Sequence, residues 1–395
     1  MLVGIVGKPN VGKSTFFSAL TMASADIASY PFTTIDANRG VGYVRGPCPH
    51  ASLGTECTPN NSLCIGGTRF VPIELLDVAG LVPDAHSGKG LGNKFLDDLR
   101  QAHAFIHVVD ASGGTDFEGN PVGLGSHDPS MDVNFLEQEI SHWIFGILGK
   151  DFSKIARQSK LAGKKFERLM QEKLTGLAIT EAQILSAMRE SGNDQDASLW
   201  RDEDLLGFCR ALQKISKPMI VAANKADIAP PENMDKLEAT GYPIVPTSAE
   251  YELALRRAAK AGLISYTPGS DRFEVADRSK LNASQLQALD TMAEWLKGAG
   301  GTGVQSILEK IVFEILNLII VYPVEDETKW VDKKGKVLPD AYLMPRGSSA
   351  KDLAFKVHTD LGDNFIRAID GRTHMTVGQD HVLKENDVVK IVARA

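Results

Sequence analysis

Short apolar runs separated by polar, glycine- and proline-bearing stretches set the rhythm of the first part of the chain. Leu2–Val6, Phe70–Leu76, Phe105–Val109 and Met219–Ala223 are too short for helices and are bounded by turn residues. They predict strands of a central sheet covered by helices. Tyr242–Val245 predicts a further strand. Between the third and fourth runs, Leu136, Ile140, Trp143 and Ile147 recur at helical spacing. Thr180-Glu181-Ala182-Gln183 then has the capping-box pattern that opens another helix. Helices recur around 281–298 and 303–317. From about residue 318 the texture changes. Leu318–Val324 predicts a strand, Ser348 and Ser349 offer caps for a helix carrying Leu353, Ala354 and Val357, and Asn364–Ile369 and Val388–Val392 predict strands. The pattern predicts an α/β domain over 1–130 and 216–317, a helical insertion over 131–215 and a small α+β domain over 318–395.

Composition narrows the class without naming a chemistry. A chain of 395 residues, 43% hydrophobic and 24% charged, has the make-up of a soluble globular protein. The formal charge of −7 argues against a generally basic nucleic-acid binder, so no DNA partner is expected. The apolar stretch from Ile311 to Tyr322 is short and holds Glu314 and Asn317, so no membrane span is expected. The N-terminus lacks the basic start and cleavage site of a signal peptide, and four cysteines do not suggest a secreted disulfide scaffold. A cytoplasmic location is the default.

Three motifs in order give the chemistry. Gly7-Lys8-Pro9-Asn10-Val11-Gly12-Lys13-Ser14 follows one strand-like run and precedes the apolar helix opened by Thr15, Phe16 and Phe17. This is the phosphate-binding G-x-x-x-x-G-K-[ST] loop: its backbone N–H groups wrap phosphates, Lys13 bridges the β- and γ-phosphates, and Ser14 offers its hydroxyl to Mg²⁺. Asp77-Val78-Ala79-Gly80 closes a second run, where Asp77 would hold Mg²⁺ through water and the Gly80 amide would touch the γ-phosphate. Asn224-Lys225-Ala226-Asp227 closes a third. Asp227 can accept from guanine N1–H and the exocyclic amine, a donor pair adenine lacks, and a buried carboxylate left without them is costly. Asn224 would tie the base loop to the phosphate loop, the Lys225 stem would cover the ring, and Thr247-Ser248-Ala249 would complete the pocket through the Ala249 amide. GTP and GDP with Mg²⁺ are the expected ligands, in a P-loop GTPase domain. In Tyr30-Pro31-Phe32-Thr33-Thr34, Thr34 is the expected switch threonine that joins Mg²⁺ when the γ-phosphate is present, with Thr33 beside it.

Cys48, His50, Cys57 and Cys64 crowd one Pro-, Gly- and Asn-rich loop. Four such ligands can satisfy tetrahedral Zn²⁺, although C-x-H-x₆-C-x₆-C is not a paired-CxxC finger. A disulfide, or buried thiols with a surface histidine, remain the other readings. Cys209 and His107 are expected in the core, and His86 on a solvated loop. The Lys/Glu-rich helices from 150 to 190 are expected to present solvated faces.

The phosphate loop through Thr15, the YPFTT segment, and the run from Asp77 to Leu81 and from Gly88 to Leu96 resemble the Obg-related YchF family of GTPases. The C-terminal piece is similar to that family's TGS domain, a ubiquitin-like β-grasp module. The resemblance covers most of the chain and implies association with ribosomes, through ribosomal RNA or protein. It also places Leu81 where Ras-like proteins carry a water-orienting glutamine, which implies slow intrinsic hydrolysis or a water placed by another group. Asn10 resembles the asparagine that binds K⁺ in potassium-activated GTPases, and the alternative is that it only shapes the loop. Gly80, Lys13, Thr34 and Asn10 are thus the residues expected to act in hydrolysis. Archaeal members carry a similar cysteine-bearing insertion. Some members with a degraded base motif prefer ATP, but Asn224, Lys225 and Asp227 are all kept here. The function expected is a slow GTP-hydrolysing switch, set against an RNA- or protein-binding adaptor with structural nucleotide, or an ATPase.

Overall fold

The computed structural model describes residues 1–22, 38–78, 98, 100–193 and 196–394. The chain divides into two compact units, one of Met1–Ala19 with Leu75–Ile307 and one of Leu20–Glu74 with Leu308–Ala395. The strands are β1 (Leu2–Val6), β2 (Arg39–Pro47), β3 (Leu63–Ile65), β4 (Thr68–Asp77), β5 (Ala104–Asp110), β6 (Met219–Asn224), β7 (Ile244–Thr247), and the two-residue β8 (Ile264–Ser265) and β9 (Glu274–Val275). The division falls inside β4.

In the first unit the order runs from the end of β4 through β1, β5 and β6 to β7. β1, β5, β6 and β7 pair in parallel. Every residue of β1, β5 and β6 is buried, which is why these runs are apolar without alternation. The β5–β6 register sets Asp110 beside Asn224, and the β6–β7 register sets Asn224 beside Thr247. Ligands of such sheets lie beyond the carboxyl ends of the strands, and these three polar residues end three neighbouring strands there.

The segment after β5 is helical. The helix Ser130–Gly149 buries Leu136, Ile140, Trp143, Ile144 and Leu148. The helices Phe152–Ala162, Phe166–Lys173, Glu181–Glu190 and Asp202–Ser216 follow. Thr180 and Gln183 form a reciprocal capping box, and Asp202, Glu203 and Asp204 place negative charge on the first turn of the last helix, which favours that end. Trp200 packs against Phe152, Phe166 and Phe208.

In the second unit β3 and β4 form a hairpin, Cys64 opposite Arg69, turned by Gly66 and Gly67 at φ +54° and +83°. That conformation suits glycine and matches the strand twist of a two-residue turn. The C-terminal strands are β10 (Leu318–Val324), β11 (Tyr342–Pro345), β12 (Phe365–Asp370), β13 (Thr376–Val377) and β14 (Asp387–Ala393). They are ordered β11-β10-β14-β12-β13, with β10 and β14 parallel and the other pairs antiparallel. The helix Ala350–Val357, capped by Ser349, packs Ala350 and Leu353 with Ile319, Val321, Ala368 and Val389. A mixed sheet with its first and last strands parallel at the centre and one helix across it is a β-grasp. The segment 38–65 falls with these C-terminal residues because it is bonded to 337–341. Thr58 N donates to Val337 O (2.9 Å) and Asn60 N to Pro339 O (2.6 Å). Asn61 exchanges two hydrogen bonds with Ala341 (2.9 and 3.0 Å).

Candidate functional site: a nucleotide cradle

β1 delivers the chain into Gly7–Ser14, and the helix Lys13–Thr21 leaves it, with Phe16 N bonded to Gly12 O at 2.9 Å. Two residues turn the loop left-handed, Asn10 at φ +64° and Gly12 at +89°. A Cβ on Gly7 would stand 2.6 Å from Val108 O, and one on Gly12 would stand 2.4 Å from Asn224 Nδ2. The loop therefore has to be bare backbone at both glycines, which is the condition for N–H groups to close around phosphate oxygens.

The side chains at the loop divide by direction. Lys13 Nζ is bonded to the Asp77 carboxylate, so the phosphate lysine and the proposed magnesium aspartate are brought together. Ser14 is exposed in the first turn of the helix. Lys8 behaves differently. Its ammonium is buried in an ion pair with Asp132 (2.8 Å) and donates to Thr115 O (3.1 Å), leaving only its backbone to the cradle. His127 Nε2 lies 3.0 Å from the same Asp132. Burial pushes the Asp132 carboxyl up, with Lys8 and His127 offsetting part of the cost. His107, buried in β5 with no hydrogen-bond partner on Nδ1 among the described residues, has its pKa held down to about 3 by burial and by the charge of Lys8.

The Asn224–Asp227 segment is tied to the phosphate loop by two hydrogen bonds and to its other neighbours by two more. Asn224 Nδ2 donates to Val11 O at 2.8 Å, and Asn224 Oδ1 accepts from Ala249 N at 3.0 Å. One buried amide thus joins the phosphate loop to the turn of Ser248 and Ala249. Ser248 itself caps the helix Ala249–Lys260 and bonds Thr302 O through its N–H at 2.9 Å. Lys225, left-handed at φ +60°, donates to Asn10 O (3.2 Å) and Asp110 Oδ2 (2.8 Å). Asp227 is half-buried and makes no hydrogen bond or ion pair among the described residues. Its charge lies near Tyr251, whose hydroxyl it helps to push up after burial.

Asp110, Thr115, Gly119 and Asp132 carry much of this geometry without belonging to any motif. Asp110 is fully buried and accepts from Ser112 N (3.1 Å), Thr115 Oγ1 (3.0 Å) and Lys225. Asn10 Nδ2 donates to Gly119 O at 2.9 Å, and a Cβ on Gly119 would meet Pro9 O at 2.6 Å. The one sequence signal was a carboxylate ending a strand that is apolar apart from His107. Thr34 with the rest of Tyr30–Thr34, and Gly80, Leu81, His86 and Gly88–Leu96, lie outside the described residues. Thr15 lies in the first turn of the helix after the loop.

Away from the cradle, in the second unit, Cys48, His50, Cys57 and Cys64 bring four ligand atoms within 4.8 Å of one another. Cys48 Sγ and Cys57 Sγ are 3.7 Å apart, Cys64 Sγ and His50 Nδ1 3.6 Å. None is in a disulfide. Cys209 is buried in the helix Asp202–Ser216, and burial pushes its thiol up.

A parallel sheet with a glycine-walled phosphate loop after its first strand and Asn224 bridging to it defines a P-loop GTPase fold. Comparisons with known proteins agree with it segment by segment. Residues 2–139 match the 50S ribosome-binding GTPase model, 222–326 the Obg-like GTPase YGR210-like, G4 motif-containing domain, and 331–393 the TGS domain. A GTP-binding protein of Methanocaldococcus jannaschii is 52% identical over all of this chain and 99% of its own. A ribosome-binding ATPase YchF of Buchnera aphidicola is 26% identical over 92% of this chain and 86% of its own. The crystal structure of a GTP binding protein from Pyrococcus horikoshii superposes over the full length of both chains with a TM-score of 0.77 at 42% identity. The chain belongs to the Obg-related YchF family of GTP-binding proteins, with a P-loop GTPase domain and a C-terminal TGS domain. Among the described residues no helix is long and apolar enough to cross a membrane.

Proposed function

We propose that this chain binds GTP in preference to ATP, hydrolyses it slowly, and uses the bound nucleotide to control association with the ribosome. The observation that carries the base preference is the Asn224 bridge. By bonding Val11 O and Ala249 N together, it would keep Asp227 beside the phosphate loop, with a carboxylate that has no partner among the described residues. That carboxylate accepts from guanine N1–H and the exocyclic amine. An adenine ring offers no such donors and leaves it half-buried and unsatisfied.

The backbone N–H groups of Gly7–Ser14 hold the phosphates. Lys13 would exchange Asp77 for β- and γ-phosphate oxygens, and Asp77, Ser14 and, with GTP bound, Thr34 are the residues that would hold Mg²⁺. When bound, the ion would neutralise charge on the phosphates. The Gly80 amide would meet the γ-phosphate. Asn10, its Nδ2 held by Gly119 O, keeps Oδ1 as the donor atom for K⁺. Leu81 offers no hydrogen bond to the attacking water, so turnover is on the order of the unassisted Ras rate, about 10⁻⁴ to 10⁻³ s⁻¹. Cys48, His50, Cys57 and Cys64 hold one structural Zn²⁺.

The catalytic domain spans 1–130 and 216–317, the helical insertion 131–215 and the TGS domain 318–395. Ribosome association is supported by the name of the Buchnera relative, a ribosome-binding ATPase. That relative is called an ATPase, so nucleotide choice is the first point to test. Competition of ATP against a fluorescent GTP analogue on the purified chain should leave the analogue bound at a hundredfold excess of ATP. Displacement at equal concentrations would make this an ATP-using member. Ribosome co-sedimentation with GDP and with a non-hydrolysable GTP analogue should differ; equal binding would leave an adaptor with structural nucleotide.

A further inference from the structure

We infer that Arg69 is the counter-charge of a Cys₃His zinc centre and couples that centre to the segment 337–341. The inference rests on the zinc proposal above. In a tetrahedral site, Zn–S bonds of about 2.3 Å and Zn–N bonds of about 2.0–2.1 Å put sulfurs about 3.8 Å apart and sulfur about 3.6 Å from nitrogen. The pairs Cys48–Cys57 and Cys64–His50 stand at 3.7 and 3.6 Å, with all four ligand atoms already converged. A disulfide would need sulfurs in bonding contact, near 2 Å.

Three thiolates and a neutral imidazole around Zn²⁺ carry one net negative charge, and the protein has placed one positive charge beside it. Arg69 is fully buried. It stands opposite Cys64 across the β3–β4 hairpin, a pairing that puts both side chains on one face. Its Nη1 approaches Cys48 Sγ at 3.9 Å, and its guanidinium lies over the Tyr322 ring at 5.6 Å. Nη2 donates to Leu338 O at 2.5 Å and reaches Pro339 O at 3.4 Å, while Nε has no partner. No carboxylate stands within ion-pair distance of Arg69 among the described residues, although its charge is felt at Asp340, where it offsets part of the rise that burial imposes on that carboxyl. A buried guanidinium without a paired anion is costly, and the metal-thiolate centre is the anion that resolves it. Through Leu338 and Pro339 the same guanidinium fastens 337–341 to the metal loop. The partners around a metal's own ligands tune affinity in this way.

The test uses the full chain. Wild type should hold about one zinc per chain and, loaded with Co²⁺, show thiolate-to-cobalt charge-transfer absorption. Zinc affinity is then measured by competition with a chromophoric chelator for wild type, Arg69→Gln and Arg69→Lys. Arg69→Gln should lose about 10- to 100-fold in affinity, and Arg69→Lys, which keeps the charge, should recover most of it. Equal affinity in all three, with wild type holding zinc, overturns the role of Arg69 and leaves the zinc site standing. A wild type that binds neither zinc nor cobalt overturns both. Should the variants fail to fold, hydrogen exchange on wild type decides: stripping zinc should speed exchange of the Val337 and Ala341 amides. Unchanged rates there overturn the coupling.

Discussion

Replacing Asn224 with alanine is the sharpest perturbation of the nucleotide site. Asn224 is almost fully buried and makes two hydrogen bonds, to Val11 O at 2.8 Å and from Ala249 N at 3.0 Å. Alanine leaves a carbonyl and an N–H, both on buried residues, without partners. Each orphaned group costs about 1–3 kcal/mol, and because both belong to one bridge the total is best taken as about 2–4 kcal/mol rather than a plain sum. The loss falls on the registration of the phosphate loop against the base segment, so it should appear in nucleotide affinity as a fall of about 30- to 1,000-fold. Asn224→Asp should do no better, since a carboxylate oxygen then faces Val11 O. Calorimetric titration with GTP and GDP, alongside thermal unfolding without nucleotide, separates binding from folding. An Asn224→Ala protein that binds GTP within threefold of wild type would refute the reasoning outright.

Asp227→Asn should weaken GTP binding and favour xanthosine triphosphate, read by direct titration of both; unchanged GTP affinity would remove Asp227 from the base site. His107 is neutral in the fold with its pKa lowered to about 3, so its contribution to stability is present above about pH 6.5 and is lost as pH falls toward 3. The loss reaches about 2 kcal/mol at pH 5; a His107→Phe variant with the same acid-side slope in denaturant melts would exclude it. Lys8→Met strands Asp132 in the interior and should destabilise by about 3–5 kcal/mol, and adding Asp132→Leu should recover much of that; a single variant melting like wild type would contradict the buried pair. Exchanging Na⁺ for K⁺ should raise GTP turnover, and Asn10→Ala should abolish the response while GTP still binds; a rate indifferent to K⁺ would make Asn10 a loop-shaping residue.

What could be read from the sequence was what local pattern fixes. The apolar runs at residues 2–6, 105–109 and 219–223 became β1, β5 and β6 because strands buried on both faces tolerate few polar residues. Leu318–Val324 became β10 residue for residue. The strand predicted at Tyr242–Val245 runs instead from Ile244 to Thr247, its end set by the parallel pairing of Thr247 with Asn224. β2 and β3 were not legible: β2 is broken up by glycines and arginine, and β3 is three residues long. Helix 303–317 changes to a π-helical turn at Ile311–Ile315, which periodicity does not reveal. At the site, spacing located the phosphate and base loops, but it could not show that Lys8 turns to Asp132 or that Asp110 anchors Lys225. Those choices depend on neighbours more than a hundred residues away. Likewise C-x-H-x₆-C-x₆-C fits no common zinc spacing, yet folding closes the gaps that the spacing left open.

The burial of Lys8 gives the phosphate loop a second attachment. Its partner Asp132 sits in the first turn of Ser130–Gly149, the helix from which the helical segment begins, and Thr115 and Gly119 touch the loop from the connection leading into it. The cradle is therefore hung between the sheet and the root of that segment. A macromolecule that gripped those helices and tilted the first one would load the loop through the Lys8–Asp132 pair. By reciprocity, a nucleotide that tightens the loop must alter the grip on those helices by the same free energy. A molecule wired in this way can report its nucleotide through its helical face, and can be told through that face when to let the nucleotide go.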